Sequence, residues 1–468
     1  MSDEVKMSTA AIAMNRFGLG ARADEAPPAD PKKWLLAQLG QYQPRPAPWE
    51  NQRKTSELIA EYAQQKMQMR NADEDDKKEA RKLYRREARD DYMEAVKARA
   101  ESALITPAPF VERLVHFWSN HFAVSIEKPA IANLAGTFEL GAIRPYVLGN
   151  FKQLLLAVEK HPAMLMYLDQ VRSIVPNSKA STRMAERDPD KKRGLNENLA
   201  REIMELHTLG VRSGYTQADV TEFARALTGW SIAGQDQDKR KDRNSEPAQN
   251  GFAFRPQIHE PGNRTIMGKN YSQSGMAQAE AVLGDLADAQ ATAIHIATKL
   301  ARHFVSDTPP SSLVDKLAKT FMSSGGNLSS VYRALIEAPE AWQAAPAKFK
   351  TPWEWLISSL RGLGRKNLDN INIAQMLNQL GQPIWKPGSP AGYDDIADTW
   401  AAPNSLLRRV EMAQRIAAPF GDKLDARKLD DQLLLGAISP TTQTAITRAE
   451  CATTGLALLL VSPEFLRR

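Results

Sequence analysis

Apolar residues recur along most of the chain at the three- and four-residue spacing of an amphipathic helix. In 108–122, one apolar stripe is formed by Val111, Leu114, Val115, Trp118 and Phe122. Similar patterns predict helices at 34–39, 151–158, 163–168, 195–209, 276–286, 288–304, 311–323, 328–337 and 351–362. A capping pair, Thr216 with Asp219, predicts the start of another helix that ends near Gly229. The chain is therefore expected to be mainly α-helical.

A charged segment without glycine or proline runs between Pro48 and Pro107. It is rich in Lys, Arg, Glu, Ala and Met, which favour helices, and its charges are of mixed sign. We predict two long exposed helices here, with a break at 71–76. Such a charged helical arm is usually a solvated face, and the alternative is a surface that binds a protein partner.

One β element is predicted, and one long loop. Residues 251–258 and 264–267 flank the turn 260–263, Glu-Pro-Gly-Asn, which is typical of a hairpin. Residues 382–404, rich in Pro, Gly and Trp, are expected to form a loop. The predicted fold is thus mainly α, a large multi-helix globular domain with one small β-hairpin insertion and a long charged helical arm. We expect an N-terminal loop with short helices at 1–47, the arm at 48–106 and the main helical domain at 107–468.

Charge and cysteine content argue against several classes of function. The net charge is +6 over 468 residues, and no element concentrates it, so no nucleic-acid interface is expected. The basic loops 179–193 and 236–243 are interrupted by acidic residues and lack an aromatic stacking platform. A single cysteine, Cys451, excludes an internal disulfide and argues against a cysteine-based metal centre.

The sequence contains no run close to the roughly 18 apolar residues of a membrane span. Residues 1–14 include Asp3 and Glu4 and have too short an apolar stretch for a secretory signal. We therefore expect a cytoplasmic location and no membrane span.

The densest polar cluster lies on the predicted helix 195–209. Asn198, Arg201, Glu202 and Glu205 are three or four residues apart and share one strip. Paired carboxylates beside a guanidinium can bind a cation or transfer protons, and the alternative is a solvated, salt-bridged face. His207 points to the apolar side of the helix, where a histidine is more often a core residue than a ligand.

A second cluster surrounds His116, Asn120 and His121. His116 and Asn120 are four residues apart and face the same way, whereas the two histidines are five apart and do not make a zincin-type pair. A metal site would form if His116 or His121 converged with Glu202 or Glu205 from the other helix.

A third cluster contains Glu222, Arg225 and, after a short gap, Trp230. Glu222 and Arg225 are three residues apart and are expected to form a structural ion pair. Burial of this pair beside Glu202 would instead create a network with shifted pKa values, which is a candidate site. His295 and His303 lie on an apolar helix and are expected to be structural.

Several motifs together resemble the bacterial domain-of-unknown-function 1800 family. They are HFWSNHF at 116–122, HPAMLMYL at 161–168, NENLAREIMELHTLG at 196–210, GYTQADV at 214–220, ALTGW at 226–230 and LLLVSPEF at 458–465. The resemblance runs from residue 13 to residue 465, and its most specific part is 196–230.

The resemblance implies a helical protein of a family without an agreed activity. Its members often occur beside a second family of unknown function, numbered 1501, whose members are often exported or sulfatase-like. Many relatives carry export signals, so the resemblance leaves a periplasmic location open. The motif residues that carry over are Asn198, Arg201, Glu202, Glu205, His207, Arg225, Trp230, His116, Trp118, Asn120 and His121.

Two functions stay open from the sequence. The first is a metal-dependent hydrolytic or redox enzyme with one divalent metal. Its expected catalytic residues are His116, Asn120, Glu202, Glu205 and Arg225. Its expected binding residues are His121, Asn198, Arg201, His207 and Trp230. Its expected metal ligands are His116, His121, Glu202 and Glu205.

The second function is a non-catalytic binding or assembly partner of another protein, for example one of the 1501 family, through the charged helical arm. An enzyme requires these groups to surround an open hollow, whereas an assembly partner allows them to lock into a closed ion-pair network.

Overall fold

The computed structural model describes residues 6–174, 194–234, 249–421 and 423–468. The predicted basic loops at 179–193 and 236–243 lie outside the described residues.

Helices make up most of the described chain, which confirms the predicted mainly α class. In chain order they are α1 (Thr9–Ala11), α2 (Pro31–Gln41), α3 (Thr55–Asn71), α4 (Glu74–Ile105), α5 (Pro109–His121), α6 (Pro129–Ala132), α7 (Ala135–Phe138), α8 (Phe151–Glu159), α9 (Pro162–Tyr167), α10 (Asn198–Glu202), α11 (Gln217–Ala226), α12 (Met276–Ala287), α13 (Gln290–Phe304), α14 (Ser311–Ser323), α15 (Leu328–Glu337), α16 (Pro352–Gly362), α17 (Ile373–Gln379), α18 (Ala397–Trp400), α19 (Pro403–Ala417), α20 (Ala426–Leu434), α21 (Pro440–Thr447) and α22 (Ala452–Leu460). Among these described helices, none combines the length and apolar composition that crossing a membrane requires.

Three widened π-helical turns bring polar side chains into the core. They lie at Ile12–Phe17, Glu139–Ile143 and Ile203–His207. Each contains a side chain that is at most 1% exposed, namely Arg16, Glu139 and His207. Such turns are rare and are often found where a helix must redirect a functional or buried polar side chain.

The predicted helix at 195–209 is divided into α10 and the π turn that follows it. The hydroxyl of Thr208 donates to the carbonyl of Ile203 at 2.6 Å, five residues earlier, which matches the wider turn. The predicted start of the following helix, α11, is confirmed. The Thr216 hydroxyl accepts from the amide of Asp219, whose carboxylate accepts in turn from the amide of Thr216 at 2.7 Å.

The β structure differs from the prediction. The segments around 252 and 264 do not pair with each other, as the hairpin prediction required. Instead β2 (Phe252–Phe254) pairs with β1 (Trp230–Ile232), and β3 (Arg264–Ile266) pairs with β4 (Lys269–Tyr271), both antiparallel. Met267 and Gly268 have φ angles of 49° and 77°, which suits the tight two-residue turn between β3 and β4. The tight turn therefore lies at Met267-Gly268, between β3 and β4, and not at 260–263 as predicted.

The charged arm is exposed only in part. Met67 on α3 and Leu83 on α4 are 67% and 54% exposed, but most side chains of α4 from Ala95 to Leu104 are buried. Alanines at 95, 98, 100 and 103 allow this end of α4 to approach α7 closely. A Cβ atom on Gly136 would lie only 2.3 Å from that of Ala95. The arm and the main helical region therefore share one core.

Helix α5 is buried on all sides. Its predicted stripe of Val111, Leu114, Val115 and Trp118 is fully buried, and so is its polar face, where Glu112 is 1% exposed. A buried charge must be paired, because removing it from water is costly.

An ion-pair chain compensates this charge. Glu112 pairs with Arg144, Arg144 Nε lies 3.5 Å from Glu139, and Glu139 lies 2.9 Å from Arg99 Nε. We call these four residues the buried charge chain. Burial raises the pKa of Glu112, but Arg144 and His116 outweigh burial and hold that pKa at about 2.

We expect Arg144→Met to lower the free energy of unfolding by about 3–5 kcal/mol, because Glu112 would remain buried without its guanidinium partner. The loss should shrink as the pH falls from neutral towards about 4, because burial raises the pKa of an unpaired Glu112 above its ordinary value and the carboxylate then binds a proton. Denaturant unfolding at several pH values measures both effects. A matched control is Lys97→Met, which removes an exposed pair at 3.7 Å and should cost less than about 1 kcal/mol. Equal losses in the two variants would contradict the role of the buried charge chain.

Candidate functional site

A cavity of about 560 Å³ lies between α5, α13, the start of α16 and the segment 382–396. Its volume is in the range of sites that bind small organic molecules. The first part of the predicted loop at 382–404 thus forms one wall of the cavity. The short helix α18 follows within the same predicted loop. Aromatic and apolar side chains contribute much of the lining, among them Phe117, Trp353, Ile384, Trp385 and Tyr393.

Helix α5 supplies two histidines whose protonation is set by their neighbours. His116 Nδ1 accepts a hydrogen bond from Trp353 Nε1 at 3.1 Å, so its proton sits on Nε2, which lies 3.6 Å from Glu112. Burial, and next Arg99, lower the pKa of His116 to about 4. His121 Nε2 donates to the carbonyl of His207 at 3.2 Å, and burial lowers its pKa well below the ordinary value. Both imidazoles are therefore neutral at pH 7.

Helix α13 lines the cavity with a continuous polar strip. His295, Lys299, Arg302 and His303 recur at the spacing of one helix face and all line the cavity. His295 Nε2 donates to the carbonyl of Leu206 at 3.0 Å, which leaves Nδ1 as the nitrogen with the lone pair. Burial, and next Lys299, lower the pKa of His295 to about 4, so this imidazole is neutral too.

The His295 imidazole packs closely against Gly210. Gly210 has a φ angle of 91°, and a Cβ atom there would lie 3.0 Å from His295 Nδ1. A larger residue would be strained and would press on the imidazole.

Among the described cations that line the cavity, Lys299 and Arg302 form no ion pair with a carboxylate. Lys299 is half-buried, and no hydrogen bond or ion pair within the described ranges reaches its amino group. Burial lowers its pKa to about 8, with Asp395 opposing and Arg302 assisting the change. Arg302 Nε donates to the carbonyl of Asp307 at 3.3 Å, and its two terminal nitrogens have no partner among the residues described.

The other two cavity-lining arginines each have a carboxylate partner. Arg113 pairs with Glu354, which also accepts from Arg468 at 2.7 Å. Arg99 pairs with Glu139 and stacks 4.6 Å above the Trp353 ring. Both lining cations without an ion-paired carboxylate therefore lie on α13, where they favour an anion.

His303 and Asp395 form a tight pair beside this strip. His303 Nδ1 lies 2.6 Å from Asp395 Oδ2, and Lys348 approaches the same carboxylate at 3.2 Å. Burial raises the pKa of Asp395, but His303 and Lys348 outweigh it and hold the pKa well below the ordinary value. The lining carboxylate Asp394 is exposed to solvent, so water screens its charge.

Asn120 fastens the loop that closes the cavity. Its side-chain amide donates to the carbonyl of Tyr393 at 2.8 Å, and its oxygen accepts from the amide of Tyr393 at 2.7 Å. Gly392 permits this approach, because it has a φ angle of 82° and a Cβ atom there would lie 2.3 Å from the carbonyl oxygen of Asn120. This side chain therefore positions the loop.

The predicted catalytic residues are divided between this cavity and other places. His116, Asn120 and His121 line the cavity, whereas Glu202 and Glu205 are half-buried outside it. Of the segment 198–207, only Leu206 contributes to the lining. Arg225 lies 3.0 Å from Glu222, in a separate ion-pair group with β3.

The predicted binding residues are likewise dispersed. Asn198 is exposed, and Arg201 bonds Gln217 at 2.7 Å on the surface. Trp230 is buried in β1, and His207 Nδ1 lies 2.8 Å from the buried carboxylate of Glu159.

The predicted metal ligands are not gathered. Within the described part of the chain, no group of three or more His, Cys, Asp or Glu side chains has an arrangement that could hold a metal ion. His116 and His121 line the cavity, whereas Glu202 and Glu205 do not.

Sequence reasoning missed the α13 strip. His295 and His303 were expected to be structural, yet they line the cavity with Lys299. Their spacing of four and eight residues on an alanine-rich helix was a usable signal. Trp353 and Asp395 carried no comparable signal, because they come from a helix start and from an irregular segment.

Comparison with known proteins adds one match. A family model described as "Protein of unknown function (DUF1800)" matches residues 12–467, nearly the whole chain. No curated protein and no solved structure matches the chain.

We expect Asn120→Ala to loosen the loop around Tyr393, because both hydrogen bonds to the Tyr393 backbone are lost. Hydrogen exchange of the Tyr393 amide should become faster, and proteases should cleave 383–396 more readily. The control is Asn367→Ala, since Asn367 makes a weak exposed contact to Asp369 at 3.4 Å. Unchanged exchange at Tyr393 in the Asn120 variant would show that other contacts hold the loop.

Proposed function

Because the chain belongs to the DUF1800 family, whose description specifies no activity, we propose its function from the cavity itself. We propose an enzyme that binds a small organic anion between α5 and α13 and uses a neutral histidine to transfer protons.

The observation that carries this proposal is the contrast between paired and unpaired cations. Arg99 and Arg113 each have a buried carboxylate partner, whereas Lys299 and Arg302 have none in the described ranges. Half-buried cations without counter-ions are costly in the free protein. An anionic ligand would supply the missing partner, and an arginine with free terminal nitrogens suits a carboxylate or phosphate group.

The aromatic and apolar part of the lining supports an organic ligand rather than a bare inorganic ion. Phe117, Trp353, Trp385 and Tyr393 surround the space beside the cationic strip. A cavity of about 560 Å³ limits the ligand to a small molecule.

His295 is the proposed general base. It lies one helical turn before Lys299, its Nε2 is engaged by the carbonyl of Leu206, and its Nδ1 carries the lone pair. A base must be unprotonated at working pH, and a pKa of about 4 satisfies this condition while limiting its basicity. In this proposal His116 and Asn120, which sequence motifs suggested as catalytic, position Trp353 and the loop.

We expect Lys299→Met to weaken anion binding by a factor on the order of ten, because one charged partner is lost. Acetate, benzoate and inorganic phosphate serve as probes in calorimetric titrations and thermal unfolding. Affinity of the original protein should fall as the pH rises through about 8, since Lys299 then loses its charge. Lys299→Arg should remove this pH dependence, because arginine stays protonated.

The matched control is Lys319→Met on α14, which removes an exposed lysine outside the cavity. Its binding curves should equal those of the original protein. The proposal fails when none of the three probes binds, or when Lys299→Met binds them equally well.

A second candidate function is binding of a partner protein through the charged arm. Met67 and Leu83, which are 67% and 54% exposed on the two helices of the arm, are the large apolar side chains that such a partner would cover. With a protein of the 1501 family as probe, co-elution in size-exclusion chromatography should occur and should be lost in the double variant Met67→Lys, Leu83→Lys. Separate elution of the unaltered proteins would count against this partner.

A further inference from the structure

Lys299 differs from the other lysine near the His303–Asp395 pair. Lys348 is 1% exposed and is held by Asp307 and Asp395. Lys299 lines the cavity, and within the described chain its amino group has neither a hydrogen bond nor an ion pair. An amine attacks an electrophile through its lone pair, so it must be free of a carboxylate that keeps it protonated. Lys299 meets this requirement and Lys348 does not.

The electrostatic surroundings act in the same direction. Burial is the largest influence on Lys299, and Arg302 adds to it, so the pKa falls to about 8 although Asp395 opposes the change. A substantial fraction of the amine is therefore neutral in mildly alkaline solution.

Arg302 follows Lys299 by three residues and lies on the same face of α13. Its Nε is bound to the carbonyl of Asp307, which leaves the terminal nitrogens for a carboxylate. In a 2-oxo acid, the carbonyl carbon is bonded directly to the carboxylate carbon. A carboxylate held by Arg302 would thus bring an adjacent carbonyl carbon close to Lys299.

We propose that Lys299 forms an imine with the carbonyl group of a small 2-oxo acid, whose carboxylate is held by Arg302. This inference rests on the proposed function and names the class of anion that the cavity takes.

The chemistry is a condensation without a change in oxidation state. The lone pair of Lys299 Nζ forms a bond to the carbonyl carbon, and the carbon–oxygen π electrons move to oxygen. The nitrogen then loses one proton and the oxygen gains one, which gives a carbinolamine. The nitrogen loses its second proton, the hydroxyl group gains it, and the carbon–oxygen bond breaks as water departs and the C=N bond forms. His295, one turn before Lys299, is the neutral imidazole that can accept the proton from nitrogen and return it to the departing hydroxyl group.

The test is reductive trapping of the full chain with pyruvate and sodium cyanoborohydride at pH 7.5, followed by intact mass and peptide mapping. We expect one carboxyethyl group on Lys299, with labelling roughly tenfold above that of exposed lysines such as Lys319. Lys299→Arg should lose this label while keeping its circular dichroism spectrum and the background labelling of exposed lysines. Propionate, which has the carboxylate but no keto group, should compete with pyruvate and reduce labelling.

Labelling spread over exposed lysines without preference for Lys299 overturns the imine. A parallel titration with propionate separates the two failures. Propionate binding that depends on Lys299, without trapping by pyruvate, ends the imine inference and leaves the proposed anion site standing. No binding of propionate and no trapping ends both. Preferential trapping that persists in Lys299→Arg, at another lysine, also refutes the assignment.

Discussion

The structure depends on the pairing of charges that the helices carry into the core. Glu112, Arg144, Glu139 and Arg99 are each at most 8% exposed and form one continuous ionic chain. Buried ions are tolerated when partners compensate for the lost hydration, and the removal of one partner leaves another charge uncompensated. Because His116 packs against one end of this chain and Arg99 stacks on Trp353 at the other, the same interactions hold the back wall of the cavity.

Among the cations that line the cavity, those on α13 are the exception to this pairing. A second ionic group, in which Arg113 and Arg468 share Glu354, closes the cavity from the side of α16. Lys299 and Arg302 have no such partner in the described chain, and burial keeps His116, His121 and His295 neutral. The proposed proton transfer on a bound anion rests on this combination of neutral imidazoles and cations without an ion-paired carboxylate.

Much of the fold could be predicted because the relevant signals are local. The apolar stripe of α5 and the capping pair Thr216–Asp219 act within a few residues, and both are present in the structure. Strand pairing was harder to predict from the sequence. The choice between a turn at 260–263 and one at Met267-Gly268 depends on which partner strand is available. The polar face of α5 was also ambiguous, because the same residues can be solvated or buried among partners from other segments.

The sequence by itself determined the helical class, the family motifs and three cavity residues, His116, Asn120 and His121, since each follows from spacing within one helix. Tertiary structure alone decided that Glu202 and Glu205 lie outside the cavity and that Lys299 lies inside it. The physical reason is that a binding cavity is formed by segments that lie far apart in the chain. The direction in which each helix presents its polar face depends on π turns and packing contacts that local periodicity does not encode.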